Sequence, residues 1–96
     1  MDFKVLYTEP ALADLEAIMD WSWAKHPEIT ERFANSILDH VDLLKNFPRM
    51  GTLVRGYPGV RRFLHSPFHV YYRIHETGRV VEILHFWHSS RKIPGL

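Results

Sequence analysis

The sequence predicts an α+β domain in which an antiparallel sheet packs against an N-terminal helical hairpin, in the order β-α-α-β-β-β. Three observations carry that expectation. Two helical stripes follow one another with only a His-Pro break between them. Three strand-like runs then come in succession, joined by short turns. The charge of the chain divides near the same boundary.

Phe3, Val5 and Tyr7 alternate with Lys4, Leu6 and Thr8, the two-residue period of a short strand. Thr8 offers an N-cap hydroxyl, and Pro10 sits where a first-turn proline is tolerated. Ala11, Leu15, Ile18 and Ser22 then form one helical stripe, widened by Leu12 and Met19, with Asp14, Glu16 and Asp20 facing away. His26-Pro27 ends this helix, because a residue before proline is pushed out of the α region. A second stripe runs through Ala34, Ile37, Leu38, Val41 and Leu44 and stops near Asn46, punctuated by Pro48 and Gly51. So short a connection makes the two helices antiparallel neighbours.

Residues 48–59 carry two prolines and three glycines and read as a loop. Residues 60–74 are strand-like, interrupted by the turn His65-Ser66-Pro67. Phe68, Val70, Tyr72 and Ile74 alternate with His69, Tyr71, Arg73 and His75, the strongest strand signal in the chain. Tyr71 and Tyr72 therefore face opposite ways, at least one of them core and the other open to solvent. Glu76-Thr77-Gly78 makes a hairpin turn. In the last strand, Val80 to Trp87, Val81 and Ile83 point one way and Val80, Glu82, Leu84 and Phe86 the other.

A chain of 96 residues makes one domain, spanning 1–96. It buries roughly 60–70% of its unfolded surface, enough for one core but not for a deep substrate cavity as well. The absence of cysteine excludes disulfides and thiolate metal sites and suits a reducing cytoplasm. The N-terminus lacks a signal-peptide pattern, and no apolar run approaches the ~20 residues of a membrane span, so a soluble cytoplasmic protein is expected.

The total charge of +1 hides a polarised molecule. Residues 1–48 hold nine acids against four bases, a net of −5; residues 49–96 hold eight bases against two acids, a net of +6. Seven of those eight bases are arginine, whose planar fork suits carboxylate or phosphate, and five of the seven histidines lie in the same half. The expected partner is acidic: a nucleic acid, or an acidic stretch of another protein.

With the helices covering one sheet face, the other is expected to lie bare, gathering Arg61, Arg62, His69, Arg73, His88 and Arg91. Such a cluster has the equipment for metal-free cleavage of RNA, arginines stabilising charge while a histidine moves a proton. A protein-binding arginine patch is the favoured reading, and solvated charges that keep a small sheet soluble are the plainest. His85 and His88, three apart on a strand, face opposite ways, so no metal or cofactor is expected. Trp21 and Trp23 lie on the first helix, where core or partner contacts are the usual roles, and Trp87 is available for base stacking.

The spacing A-x-x-D-L-x-x-I (Ala11, Asp14, Leu15, Ile18), L-x-x-x-P-x-x-G (Leu44, Pro48, Gly51), V-R-x-F (Val60, Arg61, Phe63), Y-R-I (Tyr72, Arg73, Ile74) and H-x-x-R (His88, Arg91) resembles the RelE/ParE superfamily of bacterial type II toxins, including plasmid stabilisation proteins. The resemblance implies a growth-inhibiting toxin, bound in a hetero-oligomer by a cognate antitoxin whose extended segment wraps it. RelE-type members cleave mRNA on the ribosome, whereas ParE-type members inhibit DNA gyrase. Here His69 stands where the nucleases carry an arginine, no tyrosine follows Tyr72, and the H-x-x-R ending is ParE-like. The resemblance therefore implies a non-enzymatic gyrase inhibitor, with antitoxin or target contacts at Arg61, Arg62, His69, Tyr72, Arg73, His88, Arg91, Trp21 and Trp23. The alternative is a metal-independent, ribosome-dependent endoribonuclease using Arg61, Arg73, His88 and Arg91. A third is a non-toxic binding or assembly protein.

Overall fold

The structure, a computed structural model, describes residues 2–96. Its elements are β1 (Lys4–Tyr7), α1 (Glu9–Lys25), α2 (Pro27–Asp42), a 3₁₀ turn (Leu43–Lys45), β2 (Thr52–Leu53), β3 (Val60–His65), β4 (Phe68–His75) and β5 (Val80–His88). The expected α+β order is present, with one added strand, β2, inside the segment that reads as a loop. The sheet runs β1-β5-β4-β3-β2. Strands β2 to β5 pair antiparallel in sequence, but β1 lies parallel to β5, so the sheet is mixed rather than purely antiparallel.

Local chemistry fixes how α1 starts. The Thr8 hydroxyl oxygen accepts the Ala11 N–H at 3.2 Å and donates to the Ile83 carbonyl at 2.8 Å. One side chain thus caps the helix and pins it to β5. At the hairpin tip, Ser22 Oγ and Thr30 Oγ1 lie 2.8 Å apart, and Thr30 donates to the His26 carbonyl at 3.0 Å. These two buried hydroxyls are satisfied, which lets the helices close on each other without water.

The main core lies between the helices and the inner sheet face. Ala11, Ile37, Val41 and Leu44 from the helical half meet Phe63, Val70, Tyr72, Val81, Ile83 and Phe86. Phe86 departs from the alternation read in the sequence, which sets it with Glu82 and Leu84. Tyr71 pairs with His85 and Tyr72 with Ile83, leaving Leu84 as an extra residue in β5. A bulge of one residue inverts the facing of everything beyond it, and Phe86 turns inward.

Asp14 also departs from expectation. Beyond Tyr7, β1 no longer covers β5, and the exposed edge needs a partner. Asp14 supplies it, accepting from the Phe86 N–H at 3.2 Å and lying 2.7 Å from His85 Nδ1. Asp14→Ala is expected to lower stability by about 1–3 kcal/mol, since a partly buried edge donor loses its acceptor. Urea denaturation measures this, and an unchanged midpoint would rule out the edge-capping role.

The outer sheet face is not bare. Val54, Val60 and Tyr71 are buried there, packed by Tyr57, Leu84, Trp87 and Leu96. Tyr71 is 1% exposed and Tyr72 0%, so neither tyrosine of the pair is open to solvent. The loop after β2 and the tail after β5 form a small second core over the middle of that face. Among the described residues, no helix is long and apolar enough to cross a membrane.

Candidate interaction face of the sheet

Register places the outer-face side chains in rows. Leu64, His69 and Trp87 make one row, and Thr52, Arg62, Tyr71 and His85 the next. Val60, Arg73 and Glu82 make a third. Arg62 donates to the Tyr71 hydroxyl at 3.1 Å, its guanidinium carbon 5.9 Å from the ring centroid. His69 packs edge-on against Tyr71 at 6.0 Å. Burial and the Arg62 charge both hold the His69 pKa below its ordinary 6.5. Arg91 lies 3.7 Å above the Trp87 ring, a cation–π contact worth about 0.5–1 kcal/mol at an exposed site. Arg62, His69, Trp87 and Arg91 thus edge the second core on one side.

The six basic residues expected on one face do not all share it. Arg62, His69 and Arg73 do, although Tyr71 and Val60 separate Arg73 from the other two. Arg61 pairs with Tyr72 and Leu53, which turns it to the helix side, where it donates to the Gly51 carbonyl at 2.8 Å. His88 pairs with Phe68 and sits edge-on to it at 5.5 Å, at the mouth of a different cavity. Tyr72 is excluded as a partner contact because it is fully buried. Its hydroxyl donates to the Pro48 carbonyl at 2.7 Å and accepts the Gly51 N–H at 2.9 Å. Burial raises its pKa above 10.0, and the Gly51 bond and the Arg61 and Arg49 charges pull it partly back.

That cavity is an apolar groove of about 570 Å³ between the helical hairpin and the β4–β5 end of the sheet. Ile18, Trp21, Ile29, Phe33 and Phe68 line it, with His88 and Arg91 at its polar side. Trp21 is 61% exposed there, and Trp23, two residues on, is equally open on another side of α1. Neither belongs to the core, so of the two tryptophans only Trp21 joins the groove. The groove was not legible from the sequence, since its lining comes from four separate elements.

Most of the basic half is electrostatically unspent. Among the described residues its one arginine or lysine paired with a carboxylate is Arg49, with Glu76; Arg55, Arg61, Arg62, Arg73, Arg79, Arg91 and Lys92 make no such pair. Unpaired guanidinium groups around an apolar patch suit an acidic, partly hydrophobic protein partner. No three metal-ligating side chains converge among the described residues.

This arrangement, two helices against a five-stranded mixed sheet, matches the fold of solved RelE/ParE toxins. The structure is similar to the chromosomal ParDE toxin–antitoxin system from P. aeruginosa, at 28% identity and a TM-score of 0.76, covering 90% of this chain and 95% of that one. It shares its fold with the RelBE2 toxin–antitoxin complex from Mycobacterium tuberculosis, at 23% identity, TM-score 0.69, and 92% and 99% coverage. The intact E. coli RelBE complex matches at 18% identity, TM-score 0.64, and 93% and 99% coverage. No curated protein matches the chain. Residues 5–93 match the family described as ParE toxin of type II toxin–antitoxin system, parDE, and the chain belongs to that family.

Proposed function

We propose that this toxin acts in the cytoplasm by inhibiting DNA gyrase through protein–protein contact, and that a cognate antitoxin neutralises it by binding. The observation that carries this reading is the dispersal of the nuclease set. Arg61 and His88 take helix-side register positions while Arg73 lies on the outer face, so these groups do not meet around one phosphate. A contact surface of Arg62, Arg73, Trp87 and Arg91 needs no such convergence. Similarity to the ParDE system supports the antitoxin partner.

One observation favours the ribosome-dependent nuclease instead. His69, its pKa held below the ordinary value by burial and the Arg62 charge, sets an imidazole next to a guanidinium, a pairing that proton transfer at a phosphodiester uses. Inducing the chain alone in a bacterial host separates the readings. Gyrase inhibition, measured as loss of supercoiling by the purified enzyme, is expected without codon-linked mRNA cleavage. Cleavage with intact supercoiling would assign the nuclease, and unimpeded growth a non-toxic binding role.

A further inference from the structure

Away from the outer face, a pair of histidines joins α2 to β3 and takes no part in the toxin reading. His40 Nδ1 and His65 Nδ1 lie 2.8 Å apart, with ring centroids at 5.0 Å. On its other side, His65 Nε2 is 3.3 Å from Ser36 Oγ. A contact this short between two imidazole nitrogens is a hydrogen bond, and it needs one nitrogen with a proton and one without. Two imidazolium rings turn only N–H groups toward each other, so a second proton replaces the bond with like-charge repulsion.

No carboxylate among the described residues pairs with either ring to compensate for that second charge. Phe33 and Ser36 of α2, Phe63 of β3 and the Phe68 side of β4 surround the pair. Arg32 and Asp39, neighbouring charges along α2, are exposed, and among the described residues neither imidazole has a carboxylate in ion-pair contact. Burial and the His40 charge both hold the His65 pKa below its ordinary 6.5.

The pair is connected to the apolar groove by rings in edge-on and tilted contact. His40 lies 4.4 Å from Phe63, His65 5.7 Å from Phe33, Phe33 5.9 Å from Phe68, and Phe68 5.5 Å from His88. Phe33, Phe68 and His88 are walls of the groove. We infer that His40 and His65 form a proton-operated latch that holds α2 against β3 and fixes the shape of the groove, releasing it when both rings are charged. The latch favours the less protonated pair in the folded state. Its stabilisation is therefore complete above the unfolded value of 6.5 and is lost as pH falls through the lowered folded value of His65.

Imidazole ¹⁵N and aromatic ring NMR of the full chain, titrated from pH 8 to 5, tests this without reference to gyrase or an antitoxin. The pair is expected to take up its protons in two coupled steps, the second opposed by the charge of the first, because neighbouring sites share macroscopic values. The Phe33 and Phe68 ring signals are expected to shift with the second step. In His65→Gln that step disappears and the Phe33 ring holds still between pH 7 and 5. Phe68, which also touches His88, is read with His88→Gln added to both proteins. Independent titration of both histidines near their ordinary value, or a Phe33 ring shift that persists in His65→Gln, would overturn the latch. The wild-type titration decides the matter even where the variant folds poorly.

Discussion

Replacing Tyr72 with alanine is expected to lower stability by about 3–5 kcal/mol, the range for deleting a large buried side chain. At about 4–8 °C per kcal/mol for a domain of this size, that shift in midpoint spans much of an ordinary melting range. Tyr72 is 0% exposed, packs on Phe63 at 6.2 Å, and clamps the segment after the 3₁₀ turn through Pro48 and Gly51. Tyr72→Phe keeps the ring and removes only the hydroxyl. It strands the Gly51 N–H and the Pro48 carbonyl, and a loss of about 1–3 kcal/mol follows. A loss under about 0.5 kcal/mol for Tyr72→Phe would show that water reaches both groups. The same clamp explains Gly51, where an added Cβ would meet the Arg62 carbonyl oxygen at 2.7 Å and the Tyr72 hydroxyl at 2.7 Å. Arg61 completes the clamp by donating to the Gly51 carbonyl, so three of the spacings shared with the toxins serve one loop.

Arg62→Glu carries the second large effect, this time on activity rather than stability. Its guanidinium stands half-buried on the outer face, hydrogen-bonded to Tyr71 and in ion-pair contact with no carboxylate among the described residues. A charge reversed at a desolvated pair costs about 2–5 kcal/mol of binding, so under the proposed gyrase reading inhibition is expected to weaken about 30-fold or more. Folding stability is expected to change by only about 0.5–1.5 kcal/mol, the worth of one hydrogen bond to Tyr71. Lys25→Glu, on exposed helix surface, is the matching control and is expected to leave inhibition unchanged. Equal inhibition by Arg62→Glu and the wild type in a supercoiling assay would remove the outer face from the target interface.

The helical stripes and the alternation in β4 were legible because each is a local period with one buried face. Ile37, Val41 and Leu44 are fully buried as their spacing implies. What sequence periodicity could not carry was anything decided by a distant partner. The bulge at Leu84 has no glycine or proline to mark it, yet it reverses the facing of Phe86. Asp14 reads as a solvent-facing helix acid until the end of β1 leaves an unpaired strand edge beside it. Tyr71 is buried because Val54, from the loop after β2, and Leu96, from the tail after β5, return across the sheet beside Val60. The candidate contact residues were partly legible for the same reason. Their charges are plain in the sequence and strand alternation sets Arg61 and Arg62 on opposite faces, but register decides which of the two turns to the helices.

The seating of β1 beside β5 has a consequence for synthesis. Lys4 to Tyr7 find their partners only at Val80 to Ile83, and the Thr8 cap reaches across a sequence separation of 75 residues. Contacts this remote slow folding and cannot form while the later segment is still inside the ribosomal exit tunnel. The nascent chain therefore emerges with β1 unpaired, and that edge of the sheet closes only once β5 has followed it out.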